Sequence, residues 1–109
     1  MTTNYDRGRA FEYRVRDDMR RRGYWAQRSP RSGTEVDVYA YHMGVGFFIQ
    51  AKRDGYLSQD ERKALVALAR EHNAIPLFAR PVKLKGKRRS GLLYRMLPDV
   101  SPFDPPTFK

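Results

Sequence analysis

Two stretches of strict alternation between apolar and polar side chains flank a glycine turn, and they constrain the fold more than any other feature of the chain. Between Glu35 and Tyr41, Val36, Val38 and Ala40 point one way while Glu35, Asp37 and Tyr39 point the other. Between Phe47 and Arg53, Phe47, Ile49 and Ala51 oppose Phe48, Gln50 and Lys52. A period of two is that of a half-buried strand, and Gly44-Val45-Gly46 is a hairpin-length connection, so the two strands are expected to be antiparallel neighbours. Downstream, Ser58-Gln59-Asp60-Glu61 has the form of a capping box and opens a helix that carries Leu65, Leu68, Ala69 and His72 on one face, with Asn73 to end it. Ala74 to Arg80 then reads as a strand with Pro76 confined to its start or to an edge. A helix between two strands of one sheet makes that pair parallel.

The remaining elements fit around this unit. Phe11, Val15 and Met19 recur every four residues, with Ala10 beside them, which predicts a helix over Asn4–Arg22 stopped by Gly23. Tyr24–Arg28 reads as a short strand before the turn-prone Ser29-Pro30-Arg31-Ser32-Gly33, and Ser90–Leu97 as the last strand. The expected class is therefore α/β, a mixed five-stranded sheet flanked by helices in the order α-β-β-β-α-β-β. Residues 1–97 form a single domain in this reading. The segment 98–109, with Pro98, Pro102, Pro105 and Pro106, is an irregular tail that folds back or reaches a neighbour.

Composition narrows what such a domain can do. The chain has 109 residues and a formal net charge of +10, from 22 Lys and Arg against 12 Asp and Glu. With 40% hydrophobic residues it can build a core, so the charge sits on a folded object. The absence of cysteine excludes disulfides and thiolate zinc sites. His42 and His72 have no partner at metal-ligand spacing, so a histidine-based metal site is not expected either. The longest apolar runs, such as Val45 to Ile49, are far short of the ~20 residues that span a bilayer. A cytoplasmic protein without a membrane partner or small-molecule cofactor is expected, and the basic excess points to nucleic acid. From Arg80 to Arg95 seven basic residues occur without an acid, and Arg7, Arg9, Arg14, Arg16, Arg20, Arg21 and Arg22 line the first helix.

Polar groups interrupt the two alternating strands at Asp37 and at Gln50 with Lys52. Gln50 and Lys52 share a strand face, and hairpin pairing brings them beside Asp37. A carboxylate beside an amide oxygen suits Mg²⁺, and a lysine two residues on can orient or deprotonate a water and stabilise a pentacovalent phosphate. Glu12 adds a third oxygen if the first helix packs over these strands. The competing reading makes Glu12 an exposed i,i+4 partner of Arg16 and places Asp37 and Lys52 on a solvated sheet face.

In order along the chain, Tyr5-Asp6-Arg7-Gly8-Arg9-Ala10-Phe11-Glu12, Arg28-Ser29-Pro30-Arg31-Ser32-Gly33, Glu35-Val36-Asp37-Val38, Phe48-Ile49-Gln50-Ala51-Lys52 and Ala74-Ile75-Pro76-Leu77-Phe78-Ala79 resemble the archaeal-type Holliday-junction resolvases and their phage relatives, over roughly residues 5 to 97. These belong to the PD-(D/E)XK nuclease superfamily and have the restriction-endonuclease-like fold. The resemblance implies a Mg²⁺-dependent endodeoxyribonuclease, with Mn²⁺ as the expected substitute, that acts as a homodimer on four-way DNA junctions. It implies Glu12 as the acid of the first helix, Asp37 as central metal ligand, Lys52 as catalytic lysine and Ser32 near the scissile phosphate. Gln50 stands where the family usually has Glu, and Glu35, two residues before Asp37, is a candidate to supply the missing carboxylate. Arg7, Arg9, Arg28, Arg31, Arg53, Lys83, Lys85, Lys87, Arg88 and Arg89 are the expected DNA contacts. A phage-encoded enzyme acting in the host cytoplasm fits the same resemblance. The alternatives are a nuclease of this fold acting on another DNA structure and a basic DNA-binding module that has lost cleavage.

Overall fold

The structure, a computed structural model, describes residues 3–30, 35–83, 86 and 90–108. Its elements are α1 (Asn4–Arg21), β1 (Trp25–Arg28), β2 (Val38–His42), β3 (Val45–Ala51), α2 (Gln59–Glu71), β4 (Ile75–Lys83), β5 (Ser90–Met96) and β6 (Ser101–Phe103). The six strands form one sheet in sequential order, antiparallel throughout except for the parallel pair β3 and β4. The expected five-strand sheet is thus one strand short. Ser101–Phe103, read as irregular, pairs with Tyr94–Met96 at the sheet edge. No helix among the described residues is long and apolar enough to cross a membrane.

Each helix covers one face. Thr3 caps α1 by accepting from the Asp6 N–H at 3.1 Å, and the Asp6 carboxylate reaches back to the Thr3 N–H. The α1 stripe of Phe11, Val15 and Met19 buries against Val38, Ala40, Phe47, Ile49, Leu77 and Tyr94. On the other face, Leu65 and Val66 of α2 pack with Val36, Phe78 and Leu97, while Tyr39 and Phe48 lie alongside. The alternation along β3 therefore holds from Phe47 on: Phe47, Ile49 and Ala51 lie under α1, and Phe48 lies under α2.

Alternation over 35–41 does not hold throughout. The strand begins at Val38, and Val36 packs on the α2 side while Val38 and Ala40 pack on the α1 side. The chain kinks at Asp37, whose backbone is fixed on both sides: its N–H donates to Ile49 O at 2.9 Å and its carbonyl accepts the Ser29 N–H at 2.7 Å. The hairpin turn is also shorter than expected. His42 pairs with Val45, which leaves Met43 and Gly44 as a two-residue turn with φ of 45° and 86°. Positive φ at both positions is the signature of a type I′ turn, the geometry that matches strand twist.

Residues after β6 return to the C-terminal end of α1. The Arg22 guanidinium donates to the Asp104 carboxylate at 2.8 Å, to Pro105 O at 2.6 Å and to Asp18 at 2.9 Å. Asp18 also accepts the hydroxyl of buried Tyr94 at 2.7 Å, and burial raises that hydroxyl's pKa so that it stays a donor. Phe108 stacks on His42 with ring centroids 3.9 Å apart. At Gly23, with φ of 100°, a Cβ would come within 2.4 Å of Phe108 O. Gly23→Ala is expected to lose at least about 1 kcal/mol from backbone strain alone and to release the tail. Urea unfolding and limited proteolysis after residue 98 measure both effects; unchanged cleavage would show that the tail is held elsewhere.

Candidate active site

The register of β2 on β3 pairs Val38 with Ile49, so Asp37 arrives beside Gln50 at the end where β3 leaves the sheet. An Asp37 carboxylate oxygen accepts the Ala51 N–H at 2.8 Å, tying the start of β2 to the end of β3. After the seven residues 52–58 α2 begins, and Asp60 and Glu61 of its first turn line the same cleft as this end of the strand. The result is a cleft of about 410 Å³ lined by Glu12, Glu35, Asp37, Gln50, Lys52, Asp60 and Glu61. The expected juxtaposition of Glu12, Asp37, Gln50 and Lys52 is thus present, with Glu35 at the exposed rim.

Glu12 is not the exposed partner of Arg16. Arg16 pairs with Asp17 at 2.8 Å, whereas Glu12 accepts from Arg28 Nε at 2.8 Å, both partners being largely covered. Asp37 and Lys52 likewise do not lie on a solvated sheet face: both are half-buried and share the cleft with Asp60 and Glu61 of α2. Burial is the main cause that pushes the Asp37 carboxyl up from its ordinary 3.8 to about 6. The neighbouring Glu12 and Glu61 charges push the same way, while the Ala51 N–H and Lys52 pull it down.

Glu61 is the cleft residue that sequence reasoning assigned only to helix capping. The capping box forms as expected, with the Ser58 hydroxyl accepting from the Glu61 N–H at 3.1 Å and Glu61 Oε1 accepting from the Ser58 N–H at 3.1 Å. The other oxygen, Oε2, accepts from Lys52 Nζ and from Gln50 Nε2 at 3.3 Å. Burial raises the Glu61 pKa, but the Lys52 ammonium and the Ser58 donors outweigh it and the net effect is lowered. The available signal was position: a carboxylate at the third residue of a helix that must return over β3 lies close to that strand's end.

Gln50 is 6% exposed, and its Oε1 is buried with no hydrogen-bond partner among the described residues. A buried amide oxygen without a donor is costly, on the order of 1–3 kcal/mol. Among the described residues no three His, Cys, Asp or Glu groups cluster closely enough to hold a metal ion. The donor set is instead the Asp37 carboxylate with the Gln50 amide oxygen, and Glu12 nearby. This all-oxygen set and the orphaned Oε1 fit a hard divalent cation.

Beside the cleft lies a basic hollow of about 670 Å³. Arg7, Arg14, Arg53 and Lys83 surround it, over Ala10, Phe11 and Pro81. Three of the expected DNA contacts, Arg7, Arg53 and Lys83, thus converge there, and Arg14 joins them. Arg9 lies 3.7 Å from Asp6 and 5.0 Å over the Tyr5 ring, and Arg28 is tied to Glu12. Ser32 and Arg31, with Lys85, Lys87, Arg88 and Arg89, lie outside the described residues.

The chain shares its mixed α/β fold with a junction-resolving nuclease. Its described similarity is to the crystal structure of Hjc from Archaeoglobus fulgidus, a Holliday junction resolvase from an archaeal hyperthermophile, with a TM-score of 0.67 and 25% sequence identity over 82% of this chain and 76% of that one. No protein-family model matches the chain, and a search of curated proteins gives no match.

Because folding raises the Asp37 pKa, the contribution of this carboxyl to stability is fully present below its unfolded value of 3.8 and is lost as pH rises through about 6. The two values differ by up to about 3 kcal/mol at 1.36 kcal/mol per pH unit. In EDTA, Asp37→Asn is therefore expected to gain stability relative to the wild type between pH 4 and pH 7. Urea midpoints that move in parallel across that range would show that the carboxyl is not strained by burial.

Proposed function

We propose that this chain is a structure-selective, Mg²⁺-dependent endodeoxyribonuclease that resolves four-way DNA junctions by paired symmetric nicks. The observation that carries the proposal is the cleft at the end of β3, which gathers Asp37, Gln50 and Lys52 beside a basic hollow on a chain of charge +10. The resemblance of the motifs to the PD-(D/E)XK resolvases and the fold shared with the archaeal resolvase support it.

Asp37 and Gln50, with Glu12, would hold Mg²⁺, or Mn²⁺ in its place. When bound there, such an ion supplies Lewis-acid charge for the phosphodiester and a more acidic water. The protein's own groups do the rest. Lys52 presents its ammonium at the cleft, held by Glu61 until a phosphate competes for it. The hollow formed by Arg7, Arg14, Arg53 and Lys83 seats the sugar-phosphate backbone, which fixes position without reading bases. Ser32, Lys85, Lys87, Arg88 and Arg89 belong to the proposal on the resemblance of the sequence alone.

A four-way junction needs two opposed cuts, and one domain has one such cleft, so the proposal includes an isologous homodimer. A face suited to it lies at the far end of the β2–β3 hairpin. Trp25, 60% exposed, and Tyr41 line a hollow together with Tyr39, Phe48 and Ala74, and no Asp, Glu, Lys or Arg is among its lining residues. On a strongly cationic chain, a charge-free apolar face is where two copies can meet at least electrostatic cost. It leaves both clefts open, because it lies at the opposite end of β3.

A labelled four-way junction and the matched duplex, each with Mg²⁺, test the function. Symmetric nicks in the junction are expected, with Asp37→Asn reducing cutting by at least about 100-fold while binding persists. Equal cutting of duplex would make the chain a general nuclease. Tight binding without cutting would favour the non-cleaving module, a reading for which the neutral Gln50 speaks. Alanine at Arg7, Arg53 or Lys83 should each lower the magnitude of the salt slope by about 0.9. For the dimer, Trp25→Glu with Tyr41→Glu should yield a monomer by sedimentation with the same circular dichroism spectrum; a persistent dimer would place the interface elsewhere.

A further inference from the structure

Gln50 poses a problem that a glutamate in its place would not. A carboxylate offers an acceptor oxygen in either orientation, whereas an amide has one acceptor end and one donor end that differ by a half-turn. Facing the cleft with its NH₂ group, Gln50 would repel a cation. Something must fix the amide, and the strand backbone does not, since Gln50 Oε1 has no partner among the described residues. The amide's contact is Nε2 to Glu61 Oε2 at 3.3 Å. Only the NH₂ end can donate to a carboxylate, and the flipped amide would set oxygen against oxygen.

We infer that Glu61 is a positioning residue that turns the Gln50 amide so that its oxygen faces the cleft as a ligand for a divalent cation. This rests on the metal site proposed above. The geometry of Glu61 suits the task because its two oxygens are divided between two duties. Oε1 is held by the Ser58 N–H at the start of α2, which leaves Oε2 aimed at Gln50 Nε2 and Lys52 Nζ. The capping box that starts the helix thereby also orients the strand residue beneath it. Glu61 thus compensates for the missing strand carboxylate through Gln50, from a different element than Glu35 would.

Mn²⁺ binding to the DNA-free protein, followed by electron paramagnetic resonance and by competition with Mg²⁺, tests this without recourse to cleavage. Glu61→Gln keeps a residue compatible with the cap and is expected to weaken Mn²⁺ binding about 10-fold, the range for losing an orienting partner of a ligand. Asp60→Asn removes the same charge from the same cleft without touching Gln50, and Ser58→Ala weakens the cap while keeping the backbone N–H that holds Oε1; each is expected to change Mn²⁺ affinity less than 3-fold. In a Gln50→Glu background, which needs no orienting, Glu61→Gln should lose its 10-fold effect. If Asp60→Asn weakens binding as much as Glu61→Gln, the effect is bulk charge and the inference fails. It fails equally if Glu61→Gln is silent, or if its effect survives unchanged with Glu at position 50. If the wild type binds no Mn²⁺ at all, the metal site itself is wrong, a different result from these.

Discussion

Strand β3 is covered on both faces, and the rest of the molecule depends on how that is achieved. Phe47, Ile49 and Ala51 lie beneath α1, and Phe48 and Gln50 beneath α2. A strand buried on both sides has to spend alternate positions on two different cores, so any polar residue near its end must find partners supplied by those helices. The Lys52 ammonium and the Gln50 NH₂ group find such a partner in Glu61 of α2, whereas Asp37 takes the Ala51 N–H of β3 itself and the Gln50 amide oxygen is left without a partner among the described residues. The chemical groups of the cleft are therefore held by the same contacts that close the core. Their positions follow from pairing and packing rather than from loop conformation, which keeps a site this small well ordered.

The sign of the local field inverts over a short distance. The chain as a whole is +10, yet five carboxylates, from Glu12, Glu35, Asp37, Asp60 and Glu61, line the cleft. Arg28 and Lys52 neutralise two of them. A phosphate approaching the protein is attracted by the hollow formed by Arg7, Arg14, Arg53 and Lys83 and repelled by the cleft beside it. In the proposed function, affinity and chemistry thus fall to different residues. Burial of Asp37 has the same sense, since a carboxyl pushed up to about 6 is one whose negative charge lacks compensation in the protein alone.

Much of this was legible in the sequence because it rests on periods. Period two gave the hairpin and the faces of β3, period four gave the α1 stripe, and the Ser58–Glu61 spacing gave the start of α2 to the residue. What was not legible depends on contacts distant in sequence. The pattern through 35–41 looks regular, but Val36 finds its partners on α2 and the strand starts only at Val38. The three-residue β6 contains Pro102 and carries no pattern of its own; it exists because β5 offers an edge and Arg95 holds Val100 O at 3.2 Å. The type I′ turn has no signature in the sequence because Met43 is not a residue that favours positive φ. Helical spacing favours Glu12 as a partner of Arg16, since it cannot reveal that Arg28 arrives from β1. Glu61 was recognised, but its capping role hid its second one.

Helix α1 connects the two halves of the site. At 3.6 residues per turn, Arg7 and Arg14 are within about 20° of one another around the helix, and Glu12 is about 140° from Arg7. Phe11 lies between these directions and is buried, so the helix cannot rotate to favour one function without losing its core contact. Its C-terminal end is pinned as well, by Arg20 to Ala26 O at 3.0 Å and by the Asp18, Arg22 and Tyr94 group that also holds the tail. Glu12 therefore enters the cleft, and Arg7 and Arg14 enter the hollow, at a fixed relative angle. No described residue of the tail that follows β6 lines the cleft or the hollow, yet by binding Arg22 the tail helps set the rotation of the helix that lines both.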